Sequence, residues 1–224
     1  MCFVTLRENY FVQYTDKHIR KKSMISIMQQ IIAWFGWGNG IGALAGISGI
    51  FTVAAILVPV IAGLLLFALE RLQITILKTI NRDFAYFFVN YVTFPGTFIH
   101  EMSHLCFAVI TGAEVHEICM FESGDGQLGH ISYASRGPWF IQAVQHALTA
   151  VAPTVVGFTL GFILLRILWA GSFSVWENIG LWYLVVSLID HSTMSDADLA
   201  LYFRGVWIFI LPLFVLFFIV GYTA

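Results

Sequence analysis

The 224 residues predict an all-α polytopic membrane protein with about five transmembrane helices, an N-terminal interfacial helix and a small β-hairpin loop. Three observations point there: 59% of the residues are hydrophobic, only 11% are charged at a mean hydropathy of +0.84, and the apolar residues come in long uncharged runs. Soluble domains carry about 25% charged residues, so a water-soluble globule is excluded. Lys+Arg 11 against Asp+Glu 13 leaves a net charge of -2. That balance lacks the basic excess needed to neutralise a phosphate backbone, which removes nucleic acid from the partners and leaves the lipid bilayer. Cys2, Cys106 and Cys119 are scattered, without a CxxC, and make no disulfide framework. Cys106 reads as a small apolar residue on a membrane helix. A single integral-membrane domain over 1–224 is expected, with 1–40 as its N-terminal polar and interfacial segment.

From Ser23 to Leu69 there is no Asp, Glu, Lys, Arg or His. Gly36, Gly38, Gly40 and Gly42 divide this run into a short piece, Ser23–Phe35, and a long one, Ile41–Leu69. At 1.5 Å per residue the short piece reaches only about 20 Å, whereas a hydrocarbon core of about 30 Å needs about 20 helical residues. The short piece is therefore interfacial and the long one is the first span. Polar residues precede the first apolar run and no small-residue cleavage site follows, so no cleavable signal is expected. Further spans fall at Phe84–Gly112, Trp139–Leu165, Asn178–Asp190 and Gly205–Ala224. Lys17, Arg20, Lys21 and Lys22 favour a cytoplasmic N-terminus over the opposing cluster Arg71, Lys78 and Arg82, which places the 112–138 loop in the cytoplasm. In that loop, Val115–Phe121 and Leu128–Tyr133 flank Ser123-Gly124-Asp125-Gly126, a hairpin signal. Gly42/Gly46 and Gly157/Gly161 are small-residue pairs that let helices approach closely. Pro153, inside the third span, should kink it and free a carbonyl.

The second span contains His100-Glu101-Met102-Ser103-His104, an HExxH sequence. On a helix the two histidines project from one face and reach a single Zn²⁺, while Glu101 stands beside them to take a proton from water and return it to a leaving amine. Ionisable groups inside a membrane are costly and need partners, and a metal supplies one. A buried His/Glu cluster tying helices together, or a proton or ion relay, would use the same residues. A catalytic zinc normally has three protein ligands, so a third is sought in Leu188–Leu199. If that segment is helical, Asp190, Met194 and Asp198 share one face and Asp196 points elsewhere. Asp198 is the first choice, followed by Asp196 and His191. His18 reads as solvated and His146 as hydrogen-bonded within the third span. His116 and Cys119 fall on opposite faces of a strand, and His130, after the turn, is placed for a substrate or transition-state role.

Phe94-Pro95-Gly96-Thr97-Phe98-Ile99 leading into the HExxH, then Thr111-Gly112-Ala113 and a hairpin, resembles the site-2 protease family of intramembrane zinc metalloproteases. The resemblance covers roughly residues 84–204, the implied catalytic core. In that family the third ligand is the Asp of an NxxPxxxxDG motif, eight residues after its Asn; Asp190 and Asp198 share this spacing, so the role falls on Asp198. Asp190, Thr193 and Leu199 stand where the family has Asn, Pro and Gly, the mark of a divergent member. The resemblance implies one zinc held by His100, His104 and Asp198, with Glu101 as catalytic base. It also implies a membrane-protein substrate whose unwound segment pairs with the hairpin edge. A prokaryotic cytoplasmic membrane is the expected location. A transporter for divalent metal or protons, or a non-catalytic protease-like scaffold, are the rival functions.

Overall fold

The computed structural model describes residue 30 and residues 40–119 and 130–222. The expected interfacial helix, the Gly124–Gly126 turn and His18 lie outside the described residues. Helix α1 runs Ile41–Ile80, α2 Arg82–Phe87, α3 Phe94–Ile110, α4 Trp139–Ala170, α5 Val175–Asp190, α6 Asp196–Gly205 and α7 Ile210–Tyr222, with strands β1 (Glu114–Cys119) and β2 (His130–Ala134) between α3 and α4. Three stretches are long and apolar enough to cross a membrane: Ile41–Ile80, Trp139–Ala170 and Asp196–Tyr222, of 40, 32 and 27 residues. The molecule is a membrane protein.

By internal contacts the chain divides into two units, Met1–Ala55 with Phe209–Ala224, and Ile56–Ile208. In the first, the Phe51 and Phe217 rings meet with centroids 5.6 Å apart. Ser48 and Thr52 return their hydroxyls to the carbonyls of Leu44 and Ser48, which keeps these polar groups satisfied on an apolar helix. The hairpin, the break after α5 and the histidine–aspartate cluster described below belong to the second unit.

Helix α1 outruns its expected end at Leu69 because Glu70–Ile80 contains neither Gly nor Pro and continues the helix with good formers. The expected span Phe84–Gly112 is interrupted. A π-helical turn at Phe88–Val92 ends at Thr93, and α3 restarts at Phe94 with Pro95 in its first turn. Pro95 has no N–H to carry the preceding helix onward and is tolerated only where a helix begins. Thr93 Oγ1 donates to the Val89 carbonyl at 2.7 Å and closes the turn.

Gly96 brings α3 against α5. Its N–H donates to Ser187 Oγ at 2.8 Å, Ser187 Oγ donates to the Thr93 carbonyl at 2.9 Å, and a Cβ on Gly96 would run into the Ser187 carbonyl. At its other end α3 finishes with Gly112 at φ +79°, the Ala113 N–H reaching the Ala108 carbonyl at 2.8 Å. Only glycine takes that conformation readily, and it turns the chain directly into β1. The strands pair antiparallel, Val115 opposite Tyr133 and Glu117 opposite Ser132, so His116 is the extra residue of a bulge. Gln145, 1% exposed, stitches the hairpin base to the helices: its amide donates to the Thr111 carbonyl at 3.0 Å and its oxygen accepts the Arg136 N–H at 2.9 Å.

Helices α5 and α6 do not join. The chain unwinds over residues 191–195, and His191, Ser192, Thr193 and Met194 are all buried. Irregular backbone inside an apolar protein survives only where its polar groups find partners. Here the Met194 N–H reaches the Gly63 carbonyl of α1, with no Gly63 side chain in the way, and Ser192 Oγ donates to the Leu188 carbonyl at 2.6 Å. Gly157 and Gly161 of α4 pack on this break, against Ser192 and Ile189, the close approach their spacing predicted. Gly42 has no such neighbour among the described residues.

Candidate metal centre

His100 and His104, one turn apart on α3, and Asp198 on α6 bring three ligand atoms within 4.8 Å of one another. The two Nε2 atoms are 3.2 Å apart, and Asp198 Oδ1 lies 3.4 Å from His104 Nε2. Donors about 2.0–2.1 Å from a common tetrahedral ion stand about 3.3 Å from each other, so both separations suit Zn²⁺.

The far sides of the rings decide what the near sides offer. His100 Nδ1 donates to the His191 carbonyl at 2.7 Å, and His104 Nδ1 donates to the Thr149 carbonyl at 2.9 Å. A carbonyl only accepts, so each Nδ1 carries a proton and each ring turns its Nε2, the nitrogen left for a metal, toward the other. Two lone pairs at 3.2 Å repel unless one ring takes a second proton or a cation stands between them. Asp198, with its side chain 12% exposed, adds a buried carboxylate whose ion-pair contact is His104. Two imidazole nitrogens facing each other beside one buried carboxyl group make a donor set that suits a cation.

Both orienting carbonyls are freed from helical hydrogen bonding, one by a proline inside α4 and the other by the end of α5. Thr149 stands four residues before Pro153, which has no N–H to claim the Thr149 carbonyl. The predicted consequence of Pro153, a freed carbonyl, is therefore met, and the donor it accepts from is His104. The other carbonyl belongs to His191, the residue that caps α5 where the chain unwinds. Thr149 follows Trp139 by ten residues, about 15 Å along α4 from its hairpin end.

The break also orients Asp198. Ser195 caps α6: its hydroxyl accepts the Asp198 N–H at 3.2 Å and donates to Asp198 Oδ2 at 2.6 Å, while the Ser195 N–H donates to the same oxygen at 3.1 Å. One carboxylate oxygen is thus spent on the capping box, and the other is left to face His104. Because 191–195 is not helical, Asp190, Met194 and Asp198 share no helix face, contrary to the expectation from spacing. Met194 packs on Gly63 instead. Asp196 is the exposed first residue of α6 and stands outside the cluster. The His191 ring is 7% exposed and meets Thr93 Oγ1 at 3.1 Å through Nε2, so this residue serves the site through its carbonyl and not as a ligand.

Glu101 follows His100 on α3 and is part-exposed. His146 Nε2 meets Ser135 Oγ at 2.6 Å, a bond to the connector after β2 and not to the helix itself. His116 is exposed on the bulge, and Cys106 is exposed on α3. His130 opens β2 opposite Cys119; the side chains of both lie outside the described part of the structure. Comparison with protein-family models, curated proteins and solved structures finds no match to this chain.

Proposed function

We propose that this protein is a zinc-dependent intramembrane endopeptidase, a divergent relative of the site-2 proteases, that hydrolyses a peptide bond in or near a transmembrane segment of a membrane-protein substrate. The observation that carries it is the pair of Nε2 atoms 3.2 Å apart with Asp198 Oδ1 beside them and a glutamate next in sequence to the first histidine. Metal binding alone does not require that glutamate, whereas amide hydrolysis requires a base. His100, His104 and Asp198 would hold the zinc, which when bound polarises the scissile carbonyl and acidifies water. Glu101 takes the proton of the attacking water and passes it to the departing amine nitrogen. The carbonyl freed by Pro153 holds the His104 ring, and the break at 191–195 holds the His100 ring and the Asp198 carboxyl, so little reorganisation accompanies the reaction.

The same proposal gives the chain five spans, with Phe84–Gly112 and Asn178–Asp190 as the two shorter crossings, in a prokaryotic cytoplasmic membrane. A substrate helix hides its carbonyls in hydrogen bonds and must unwind before cleavage. The two-stranded sheet has an outer edge on each strand, and an unwound segment pairs there by strand addition.

The test is metal content by elemental mass spectrometry on detergent-purified protein, together with cleavage of a panel of quenched-fluorescence transmembrane peptides in liposomes. About one zinc per chain is expected, retained in Glu101→Gln and lost in His100→Ala. Cleavage in Glu101→Gln should fall by roughly 10²–10⁴-fold. Undiminished cleavage by Glu101→Gln, or a wild-type protein that holds no zinc after loading and dialysis, overturns the proposal.

A further inference from the structure

Gln145 closes a ring of contacts that ties the hairpin to the histidine pair. Its amide nitrogen donates at 3.0 Å to the carbonyl of Thr111, the residue that caps α3. One turn further along the same face of α4, the Thr149 carbonyl accepts from the His104 ring at 2.9 Å. His104 and Thr111 are themselves joined by about two turns of α3. Two helix segments and two hydrogen bonds thus make a closed frame with His104, Thr111, Gln145 and Thr149 at its corners, and the frame cannot shear without breaking a bond. The oxygen of Gln145 hangs β2 on this frame: it accepts the Arg136 N–H at 2.9 Å, just past the end of the strand at Ala134. The next residue of α4 adds a second tie, His146 Nε2 to Ser135 Oγ at 2.6 Å. Gln145 is 1% exposed. Burying an amide is unfavourable unless its bonds are made, and an apolar side chain would fill the same space with no such condition. What a satisfied buried amide adds is position, through directional bonds.

The two edges of the hairpin are not equivalent. His116 is the extra residue of a bulge in β1, and a bulge bends and blunts the strand that carries it. Strand β2 has no extra residue, so its outer edge is the regular one, and it is the strand that Gln145 and His146 pin. Resting on the endopeptidase reading above, we propose that the unwound substrate pairs with the outer edge of β2 and that Gln145 is the positioning residue that sets which of its peptide bonds reaches the metal. Gln145 acts by fixing β2 relative to His104, not by touching the reacting atoms. Successive residues of a strand are about 3.3 Å apart, so a shift of β2 by that much presents the adjacent bond for cleavage. A misplacement of about 1 Å already slows a positioned reaction by up to about 10²-fold.

The experiment uses the full chain in liposomes with the transmembrane peptide of the panel that the wild type cuts fastest, reading the cut ends by mass spectrometry and zinc by elemental mass spectrometry on the same preparation. Gln145→Met keeps the length of the side chain and removes both of its bonds. It is expected to retain about one zinc per chain, to lose kcat at the wild-type bond by about 10–10²-fold with KM within about threefold, and to cut adjacent bonds as well. Hydrogen exchange across 130–136, followed by mass spectrometry, should quicken at least about tenfold while that of α3 stays as in wild type. Ser135→Ala removes only the second tie and should move a smaller share of the cuts to adjacent bonds; it decides the question if Gln145→Met does not fold. A merely structural support would lower the yield of active protein and leave the cut at one bond. A single cut at the wild-type bond by zinc-loaded Gln145→Met, or unchanged exchange across 130–136, overturns the positioning role and leaves the endopeptidase reading standing. Zinc loss from Gln145→Met overturns it too, by making Gln145 a support of the metal site. A wild type that holds no zinc or cuts no peptide of the panel removes both proposals together.

Discussion

Pro153→Ala separates the stability of the helix from the quality of the metal site. Proline in a helix interior costs about 3 kcal/mol through its missing hydrogen bond and its clash with the preceding turn. Alanine recovers that and gives up roughly two buried methylenes of a fully buried ring, about 1.6 kcal/mol at 0.8 kcal/mol each. The helix should therefore gain on the order of 1 kcal/mol. The new N–H at residue 153 competes with His104 Nδ1 for the Thr149 carbonyl, now 2.9 Å from that ring. Loss or weakening of a bond that orients a ligand typically lowers metal affinity 10–100-fold. Because a carbonyl has two lone pairs and can serve both donors, the lower end applies, about tenfold. The assay is zinc competition against a chromogenic chelator, with thermal melting of the same metal-free preparations. The expected pattern is a protein no less heat-stable than wild type that binds zinc about tenfold more weakly. Zinc affinity within twofold of wild type would refute the claim that the proline-freed carbonyl orients His104.

Two further outcomes follow from the same geometry. Asp198→Asn should lose zinc, whereas Asp196→Asn should retain about one equivalent, because only Asp198 turns an oxygen toward His104; elemental mass spectrometry reads both, and zinc loss in the Asp196 variant would reassign the ligand. Gly96→Ala forces a Cβ into the Ser187 carbonyl and should destabilise the protein by about 1–3 kcal/mol, as overpacking does. An unchanged melting temperature there would mean that α3 and α5 do not touch backbone to backbone.

Several features of this chain were legible one residue at a time. The long uncharged runs dictated membrane helices, because apolar surface of that length has no other place to go. Histidines four apart on a helix face the same way whatever surrounds them, so the pairing of His100 and His104 needed no tertiary information. The β-compatible runs around Ser123-Gly124-Asp125-Gly126 likewise announced two paired strands, and Pro153 announced a free carbonyl four residues back. These are local rules, in which backbone geometry links residues within one turn of each other.

The rest lay beyond local rules. Spacing could place Asp198 on a face only by assuming a continuous helix, and the chain instead unwinds at 191–195, where Gly63, Gly157 and Ser187 supply the contacts that make a buried break tolerable. That break is what aims Asp198 through Ser195 and lends the His191 carbonyl to His100. The sequence by itself determined the membrane helices, the histidine pair and the freed carbonyl, because each depends on neighbours along one helix. Which carboxylate joins the histidines, and which carbonyls orient them, was decided only by tertiary structure, because those contacts join residues far apart in the chain, such as His104 with Thr149 and His104 with Asp198, through packing that no periodicity records.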